Sequence, residues 1–249
     1  MEFDDLCSTY LNTAKKHGEI FDRLYEEVQQ TPWLKEHRDW VEANSWGMGD
    51  RPHHAMWRAI VETMPHNFKA LEIGVYRGQA VSLIGLIAMH LGKTPSIYGI
   101  SPFSGTDDTV NSYSKELNYL ADVETIFRKF QVPCEWFYPI RGMSQHPEVI
   151  ADATRHAPYD ILYIDGCHEY EAVKQDIQNC ADLLRSGGIL VMDDASCHLQ
   201  MPEFTNTGGY NRCWPGVRSV SDAVLDYLEP RKDFVHRFAV GHNRIFVKL

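Results

Sequence analysis

The segment LEIGVYRG, residues 71–78, joins a strand-like sequence to a helix-like one and decides the fold. The apolar run Phe68–Ile73 has the length of a buried strand, and Gln79–Leu91 has the length of a helix. Gly74 and Gly78 accept backbone conformations that other residues avoid, so the chain can turn tightly there and lie close to a ligand. The helix that follows points its N-terminus at that ligand. The segment therefore predicts a strand, a ligand-binding turn and a helix.

The turn has the pattern ExGxxxG, whereas dinucleotide-binding loops have GxGxxG. Val75 and Tyr76 lie where a pyrophosphate would approach the backbone. Glu72 also suits a cationic or hydroxyl-bearing ligand better than a phosphate. Taken alone, the motif leaves a plain strand-to-helix turn without a ligand as the alternative.

The alternation of strand-like and helix-like segments continues along the chain. Strands that alternate with helices form βαβ units and a parallel sheet. The last two strands are separated by Ala239–His242 only, so they must pair antiparallel. We therefore predict an α/β fold with a mostly parallel seven-stranded sheet that ends in an antiparallel hairpin. The further predicted strands are Ser96–Ile100, Cys134–Ile140, Tyr159–Ile164, Gly188–Met192, Phe234–Phe238 and Asn243–Val247, and the further helices are Lys115–Phe130, His146–His156 and Tyr170–Arg185.

Residues 1–65 contain no strand-like run and are predicted to form a helical cap on a main domain of residues 66–249. The cap combines helically spaced apolar residues with four tryptophans, which we expect to pack against that domain. Two further roles of the cap stay open: it could form one wall of a substrate pocket, and it could form an interface in a homo-oligomer. The apolar residues are Leu6, Tyr10, Ile20, Leu24 and Val28, and the tryptophans are Trp33, Trp40, Trp46 and Trp57.

Composition limits the partners of the chain. Its 24 Lys and Arg against 34 Asp and Glu give a net charge of −10, without a basic block, so a nucleic-acid backbone is a poor partner. The N-terminus lacks the pattern of a signal peptide, and no apolar run approaches the roughly 18–20 residues of a membrane span. The six cysteines form no CxxC pair and are expected to be free thiols. We predict a cytoplasmic protein that binds a small molecule and neither nucleic acid nor membrane.

Three carboxylates follow two of the predicted strands. Asp165 comes directly after Tyr159–Ile164, and Asp193 and Asp194 follow Gly188–Met192. Parallel strands joined by one crossover end at the same edge of the sheet, where ligands bind. Carboxylates brought together there repel and usually need a cation, and oxygen ligands favour Mg²⁺, Ca²⁺ or Mn²⁺. We predict a divalent metal site, with Mg²⁺ as the expected ion; the alternative is that Asp193 and Asp194 only cap the next helix.

His168 lies three residues beyond Asp165. A single histidine is most often structural or exposed. Beside a metal site, however, a neutral imidazole can accept a proton from a substrate hydroxyl near pH 7. His168 is therefore the candidate general base.

LEIGVYRG, the strand-end Asp165 and GGILVMDD at residues 187–194 together resemble the class I S-adenosylmethionine (SAM)-dependent methyltransferases. The resemblance is to the metal-dependent small-molecule O-methyltransferases related to catechol O-methyltransferase. The sequence resembles even more closely the metal-dependent methyltransferases of natural-product and sugar tailoring, a group that includes cephalosporin-hydroxylase-like sequences. It covers roughly residues 65–198 and the closing hairpin. It implies a Rossmann-like class I methyltransferase fold and methyl transfer from SAM to a hydroxyl of a small molecule.

The resemblance also assigns roles to residues. RGMSQ at residues 141–145 is similar to the family segment that lies near the adenine. His168 stands where the catechol-type enzymes carry a catalytic lysine. The implied SAM-binding residues are Glu72, Gly74, Tyr76, Gly78, Gly142, Ser144, Gln145 and Asp165, and the implied metal ligands are Asp165, Asp193 and Asp194.

Ser101 departs from the family pattern, which has an acidic residue at the end of the second strand to hold the ribose hydroxyls. Ser101 is expected to make this contact with a weaker hydrogen bond than a carboxylate makes. Asp107 and Asp108 are the candidates to supply the missing charge.

Other functions remain open at this point. One is metal-independent or nitrogen-directed methyl transfer, and another is a non-catalytic SAM-binding module. A non-haem-iron hydroxylase would need two histidines and a carboxylate, which His168, Asp165 and a later histidine such as His198 could mimic. Met201–Trp214 is predicted to be a long loop, either a lid over substrate or an ordinary surface loop, with Arg212 and Trp214 as candidate contacts.

Overall fold

All seven strands expected from the sequence are present and lie in one sheet. A computed structural model describes residues 1–104, 118–207 and 210–249 of the chain. A separate two-stranded sheet lies between the fifth and sixth of these strands in the sequence. In chain order the strands are β1 Asn67–Ile73, β2 Thr94–Ser101, β3 Phe137–Arg141, β4 Tyr159–Ile164, β5 Leu184–Met192, β6 Thr205–Thr207, β7 Tyr210–Arg212, β8 Phe234–Val240 and β9 Asn243–Lys248.

The large sheet has the order β3-β2-β1-β4-β5-β9-β8. Strands β1 to β5 are parallel to their neighbours, whereas β9 is antiparallel to both β5 and β8. The prediction of a mostly parallel sheet that ends in an antiparallel hairpin is confirmed. The strand order reverses between β1 and β4, and in open α/β sheets ligands bind beyond the carboxyl ends of the strands at such a point.

Helices cover both faces of the sheet because successive strand residues point to opposite sides. Ala70 belongs to the hydrophobic core beneath the N-terminal helices, and its neighbour Leu71 belongs to the core on the other face. In chain order the helices of the described residues are α1 Phe3–Thr9, α2 Ala14–Gln30, α3 Pro32–Asn44, α4 Pro52–Glu62, α5 Gln79–His90, α6 Tyr119–Lys129, α7 Pro147–His156, α8 Tyr170–Cys180 and α9 Arg218–Tyr227.

Helices α1–α4 form the cap and share one core with α5, α6 and the sheet. Leu24 of α2 and Met56 of α4 are fully buried in this core, together with Ile84 of α5. A buried hydrogen-bond chain also links the cap to α5: His37 Nδ1 lies 2.9 Å from His54 Nε2, and His37 Nε2 lies 3.0 Å from Ser82 Oγ. The cap is therefore fixed to the sheet by apolar packing and by polar contacts.

The four cap tryptophans pack inward, as expected. Trp57 is buried with its ring centroid 5.1 Å from that of Tyr163, and Trp33 stacks on His90 at 4.1 Å. Trp40 and Trp46 contact each other with ring centroids 5.0 Å apart. Within residues 1–104, 118–207 and 210–249, no helix has both the length and the apolarity to cross a bilayer.

Several element boundaries differ from the predictions, and two of the differences have a common cause. The strand predicted from Cys134 begins only at Phe137, because residues 134–136 form a short 3₁₀ helix. The helix predicted over Tyr170–Arg185 ends at Cys180 and continues as a 3₁₀ turn, after which β5 begins at Leu184. In both places an apolar run continues across a change of backbone conformation, so apolar spacing alone did not mark the boundary.

The long loop predicted over Met201–Trp214 is partly regular. Strands β6 and β7 pair antiparallel within it. The signal was present in the sequence, since a Gly-Gly dipeptide between two strand-forming segments is typical of a two-residue hairpin connection. Gly208 and Gly209 themselves lie outside the described residues, and so does the side chain of Arg212.

Gly74 allows the carboxyl ends of β1 and β4 to lie in close contact. Its φ is +97°, and a Cβ atom there would lie 1.9 Å from the carbonyl oxygen of Asp165. The backbone N–H of Asp165 donates to the carbonyl of Ile73 at 2.9 Å, which fixes the two strand ends at this distance. A side chain at position 74 would therefore force the strand ends apart.

We expect Gly74→Ala to destabilise the protein much more than Gly92→Ala. Gly92 also has a positive φ, +64°, but no atom lies within 4 Å of a Cβ at that position. Gly92→Ala should therefore lower the free energy of unfolding by the backbone term alone, about 1–2 kcal/mol. Gly74→Ala adds the overlap with Asp165 and should cost on the order of 3 kcal/mol or more. Chemical denaturation measures both, and equal losses would show that the close approach to Asp165 is unimportant.

Candidate active site

A first cavity of about 450 Å³ lies beyond the carboxyl ends of β1, β2 and β3. It brings together five residues that the sequence analysis assigned to SAM binding. Gly74 comes from the turn after β1, Ser101 from the end of β2, and the other three from the segment after β3. These five lining residues are Gly74, Ser101, Gly142, Ser144 and Gln145.

The polar side chains of the first cavity are held by neighbours. The Ser101 hydroxyl is buried and accepts the backbone N–H of Phe103 at 3.3 Å. Gln145 Nε2 donates to Ser144 Oγ at 3.0 Å and contacts Asp176 Oδ1 at 3.3 Å. Ser101 therefore stands at the predicted ribose position with one hydrogen bond already made. Asp107 and Asp108, the candidates to compensate for it, lie outside the described residues.

Asp176 of α8 was not singled out from the sequence. It is fully buried beside Ser144 and Gln145. Burial raises its pKa to about 7, against the lowering effect of a hydrogen bond from Ser144. The sequence offers only a weak signal for it, since Asp176 occurs in an ordinary amphipathic helix. Its effect is to hold the Gln145 side chain at the wall of the cavity.

A second cavity of about 810 Å³ adjoins the first, and Gly74 lines both. The cap supplies one wall, including Trp46 and Trp57, and Trp214 lines another part. The ends of β1, β4 and β5 supply the acidic floor. The acidic and histidine residues that line the cavity are Glu72, Asp165, Asp193, Asp194, His53, His168 and His242.

Four carboxylates share this cavity, and most are removed from bulk water. Burial, then the charges of Asp193, Asp194 and Glu72, raises the pKa of Asp165 well above its usual range. Burial and the charge of Asp193 raise the pKa of Glu72 to about 8 and that of Asp194 to about 8. The Tyr163 hydroxyl donates to Asp165 Oδ2 at 3.0 Å and fixes its orientation. The arrangement is costly for the ionised acids unless a cation is present.

His168 lies at the rim of the cluster with its side chain 41% exposed. Its Nε2 is 3.4 Å from Asp194 Oδ2 and 3.9 Å from Asp165 Oδ1. Burial lowers the pKa of His168 despite the opposite effect of Asp193. The imidazole is therefore neutral near pH 7 and can accept a proton.

His242 is the main residue that the sequence analysis missed. It lies between β8 and β9, with Nε2 3.5 Å from Asp193 Oδ1 and 3.9 Å from Asp194 Oδ1. A usable signal existed, because a final strand paired antiparallel to β5 must begin where β5 ends. The observed register pairs Met192 with Arg244, which brings His242 beside Asp193.

The described residues of the cluster fit a divalent cation. Asp193, Asp194 and His242 each offer one ligand atom, and these atoms lie within 4.8 Å of one another. Buried polar atoms without a hydrogen-bond partner also surround the cavity: Glu72 Oε2, Asp194 Oδ1 and His242 Nδ1. Buried polar atoms are normally paired, so these atoms are free to bind an ion or ligand.

The remaining predicted site residues lie at different places. Tyr76 lines the second cavity, with its ring centroid 5.2 Å from that of Tyr119. Gly78 lines neither cavity; it caps α5 with a φ of +88° and packs against Val123. His198 also lies outside both cavities and contacts Asp222 at 2.7 Å, so it does not join Asp165 and His168 in an iron triad.

The raised carboxyl pKa values give a pH dependence of stability in the metal-free protein. Between pH 6.5 and 8 the folded protein keeps protons on Glu72 and Asp194, whereas the unfolded chain has already lost them. Raising the pH therefore lowers the free energy of unfolding, by up to about 1.4 kcal/mol per pH unit for each such proton. Buried histidines such as His17, with its pKa lowered to about 4, act in the opposite direction but only below pH 6.5.

We expect chemical denaturation in EDTA to show this fall in stability between pH 6.5 and 8. Glu72→Gln should reduce the slope, because the amide does not titrate. Saturating divalent cation should also reduce it, because an ion compensates the ionised carboxylates. Equal slopes for the wild type and Glu72→Gln would mean that Glu72 does not carry the raised pKa.

The family model of a methyltransferase domain matches residues 71–195, half of the chain. No curated protein matches the sequence significantly. Among solved structures, a Staphylococcus aureus protein assigned as a caffeoyl-CoA O-methyltransferase is 16% identical with a TM-score of 0.63, over 92% of this chain and 98% of that one. SAH-bound PaMTH1, a methyltransferase from Podospora anserina, is 15% identical with a TM-score of 0.61, over 92% and 94%.

A third similar structure is the O-methyltransferase TomG from Streptomyces achromogenes in complex with SAM. It is 13% identical with a TM-score of 0.55, over 88% of this chain and 90% of that chain. At these identities the similarity establishes a shared fold. The match of the domain model to half of the sequence establishes more: the chain belongs to the methyltransferase-domain family and is a SAM-dependent methyltransferase of the class I fold.

Proposed function

We propose that this methyltransferase transfers the methyl group of SAM to a hydroxyl oxygen of a small molecule, with a divalent metal beside the acceptor. The observation that carries the proposal is the meeting of two cavities at Gly74. One is lined by the residues expected to bind SAM, and the other by carboxylates and a neutral histidine. A donor in the first and an acceptor in the second would face each other across this glycine.

The first cavity suits the adenosine part of SAM. Ser144 and Gln145 offer hydrogen-bonding groups for the adenine, and Ser101 offers a hydroxyl for the ribose. Glu72 lies in the second cavity, where the ammonium of the methionine part would favour the ionised carboxylate and pair with it. Tyr76 lines the same side and can shield the sulfonium from water. These placements support SAM binding along the edge of β1 and β2.

Asp165, Asp193 and Asp194 are the residues that would hold the metal. They line one cavity at the ends of β4 and β5, and Asp194 Oδ1 is buried without a hydrogen-bond partner. A bound divalent ion would supply Lewis acidity that lowers the pKa of the acceptor hydroxyl and orients its oxygen. Mg²⁺ is the ion expected from oxygen ligands alone.

His168 removes the proton from the acceptor. The methyl carbon leaves the sulfonium of SAM with the S–C electron pair remaining on sulfur, and the acceptor oxygen forms the new C–O bond. The hydroxyl proton passes to Nε2 of His168, which is neutral near pH 7 because burial lowers its pKa. The partly exposed imidazolium then releases the proton to solvent. Holding donor and acceptor in line supplies much of the rate enhancement.

The second cavity favours a small, partly apolar acceptor. Trp46, Trp57 and Trp214 supply apolar walls, and ligand sites for small molecules are lined largely by such side chains. TomG and NovP, whose structures are similar in fold, are described as O-methyltransferases. A cytoplasmic location, natural-product tailoring and a homo-oligomeric state stay predictions from the sequence.

Replacement of His168 tests the base. We expect His168→Ala to lower the release of S-adenosylhomocysteine roughly 10²–10⁴-fold with a panel of catechols, polyketides and hydroxylated sugars, because the acceptor proton loses its base. SAM affinity, measured by calorimetry, should not change. His66→Ala is the matched control, since His66 is exposed and lines neither cavity. Unchanged turnover in His168→Ala would remove His168 from the mechanism.

Chelation tests the metal. Excess EDTA should abolish turnover, and added Mg²⁺ or Mn²⁺ should restore it in the wild type but not in Asp193→Asn. Full activity in EDTA would favour metal-independent transfer. Activity on amines alone would favour nitrogen-directed transfer, and SAM binding without turnover on any acceptor would favour a non-catalytic module.

A further inference from the structure

We propose that His242 is a nitrogen ligand of the metal, oriented by Asp50 of the cap, and that the site therefore selects a first-row transition-metal ion over Mg²⁺. The inference rests on the proposed metal site in one respect, since it requires a cation at Asp193 and Asp194. It does not depend on the identity of the acceptor or on methyl transfer to a hydroxyl.

The position of His242 is that of a ligand. It is 3% exposed, and its Nε2 lies 3.5 Å from Asp193 Oδ1 and 3.9 Å from Asp194 Oδ1. These distances are too long for good hydrogen bonds. Ligand atoms that each lie about 2.1 Å from one ion are roughly 3.0–3.4 Å apart, so a small contraction around an ion would complete the set.

Two buried atoms next to the cluster lack hydrogen-bond partners. One is His242 Nδ1, and the other is Asp50 Oδ2, whose residue is 4% exposed. A carboxylate oxygen of Asp50 lies within 4.8 Å of a His242 ring nitrogen. The two atoms do not bond each other in this structure, and we infer that a small shift lets Asp50 accept Nδ1–H, which leaves the lone pair of Nε2 towards Asp193 and Asp194. Metal-bound histidines commonly have such a carboxylate on the other ring nitrogen.

Asp50, His53 and His242 each have a ligand atom within 4.8 Å of the others. These three residues nevertheless do not form a second metal site, because His53 cannot act as a ligand. His53 Nδ1 accepts the backbone N–H of Asp50 at 3.3 Å. The proton is then on Nε2, which donates to the carbonyl of Val240 at 3.2 Å. Both ring nitrogens of His53 are engaged, so no lone pair is left for an ion.

The ring of His242 is also fixed by aromatic neighbours. Its centroid lies 4.6 Å from that of His53 at an interplanar angle of 88°, and 5.2 Å from that of Trp214. The backbone N–H of Ala195 donates to the His242 carbonyl at 2.8 Å and ties the hairpin to the end of β5. The imidazole is therefore presented to the carboxylates in one orientation before an ion arrives.

A nitrogen ligand changes which ion the site prefers. Mg²⁺ is bound in proteins almost entirely by oxygen, whereas imidazole raises the affinity for transition-metal ions. Asp193, Asp194 and His242 form a mixed oxygen and nitrogen set. The expectation of Mg²⁺ from the sequence used the three aspartates alone, and His242 is the reason to revise it.

Mn²⁺ bound to the full-length protein without acceptor provides the test. Pulsed electron paramagnetic resonance should show ¹⁴N coupling to Mn²⁺ in the wild type and in His168→Ala, and none in His242→Gln. Mn²⁺ affinity should fall roughly 10–100-fold in His242→Gln, and by a similar factor in Asp50→Asn with the ¹⁴N coupling retained. Mg²⁺ should displace Mn²⁺ from the wild type only at about 100-fold excess or more, and at a smaller excess from His242→Gln.

Each contrary result has a distinct meaning. Tight Mn²⁺ binding without ¹⁴N coupling in the wild type overturns the role of His242 and leaves the proposed function intact. Loss of the coupling in His168→Ala but not in His242→Gln assigns the nitrogen to His168 and also overturns it. Absence of Mn²⁺ binding in the wild type overturns both this inference and the metal in the proposed function. Thermal unfolding of each variant verifies that it is folded.

Discussion

Repulsion among four carboxylates is the constraint on which the site depends. Glu72, Asp165, Asp193 and Asp194 line one cavity where protein replaces much of the solvent. Removing water and placing like charges together both favour the protonated acids, which is why the pKa values of three of them are raised. Either protons or a cation must compensate this charge. This need for compensation is the physical basis of the proposed metal site.

The sheet topology alone brings the four carboxylates together. Parallel strands β1, β4 and β5 end at one edge, and each contributes an acidic residue at or just beyond its end. The backbone contact between Gly74 and Asp165 sets how closely β1 and β4 approach. The turn that precedes the antiparallel strand β9 then adds His242, because the first residues of β9 lie beside the last residues of β5.

The cap covers the site and also contributes side chains to it. Trp46 and Trp57 wall the second cavity, and a carboxylate oxygen of Asp50 lies within 4.8 Å of a ring nitrogen of His242. The same helices contribute to the core beneath the sheet, and Trp57 of α4 is buried in that core. Selectivity for acceptor and ion would thus depend on residues outside the segment 71–195 that the family model matches.

The sequence by itself determined the strand and helix alternation, the parallel sheet with its closing hairpin, and the convergence of Asp165, Asp193 and Asp194. These follow from local periodicity and from the rule that parallel strands end at one edge. Only the tertiary structure decided that His242 lies beside Asp193 and Asp194, and that Asp50, 192 positions away in the sequence, lies near His242. It also separated Gly78 and His198 from the cavities. Local patterns fix elements and their ends, but the packing of the cap and the pairing of β9 with β5 are long-range contacts that no local spacing records.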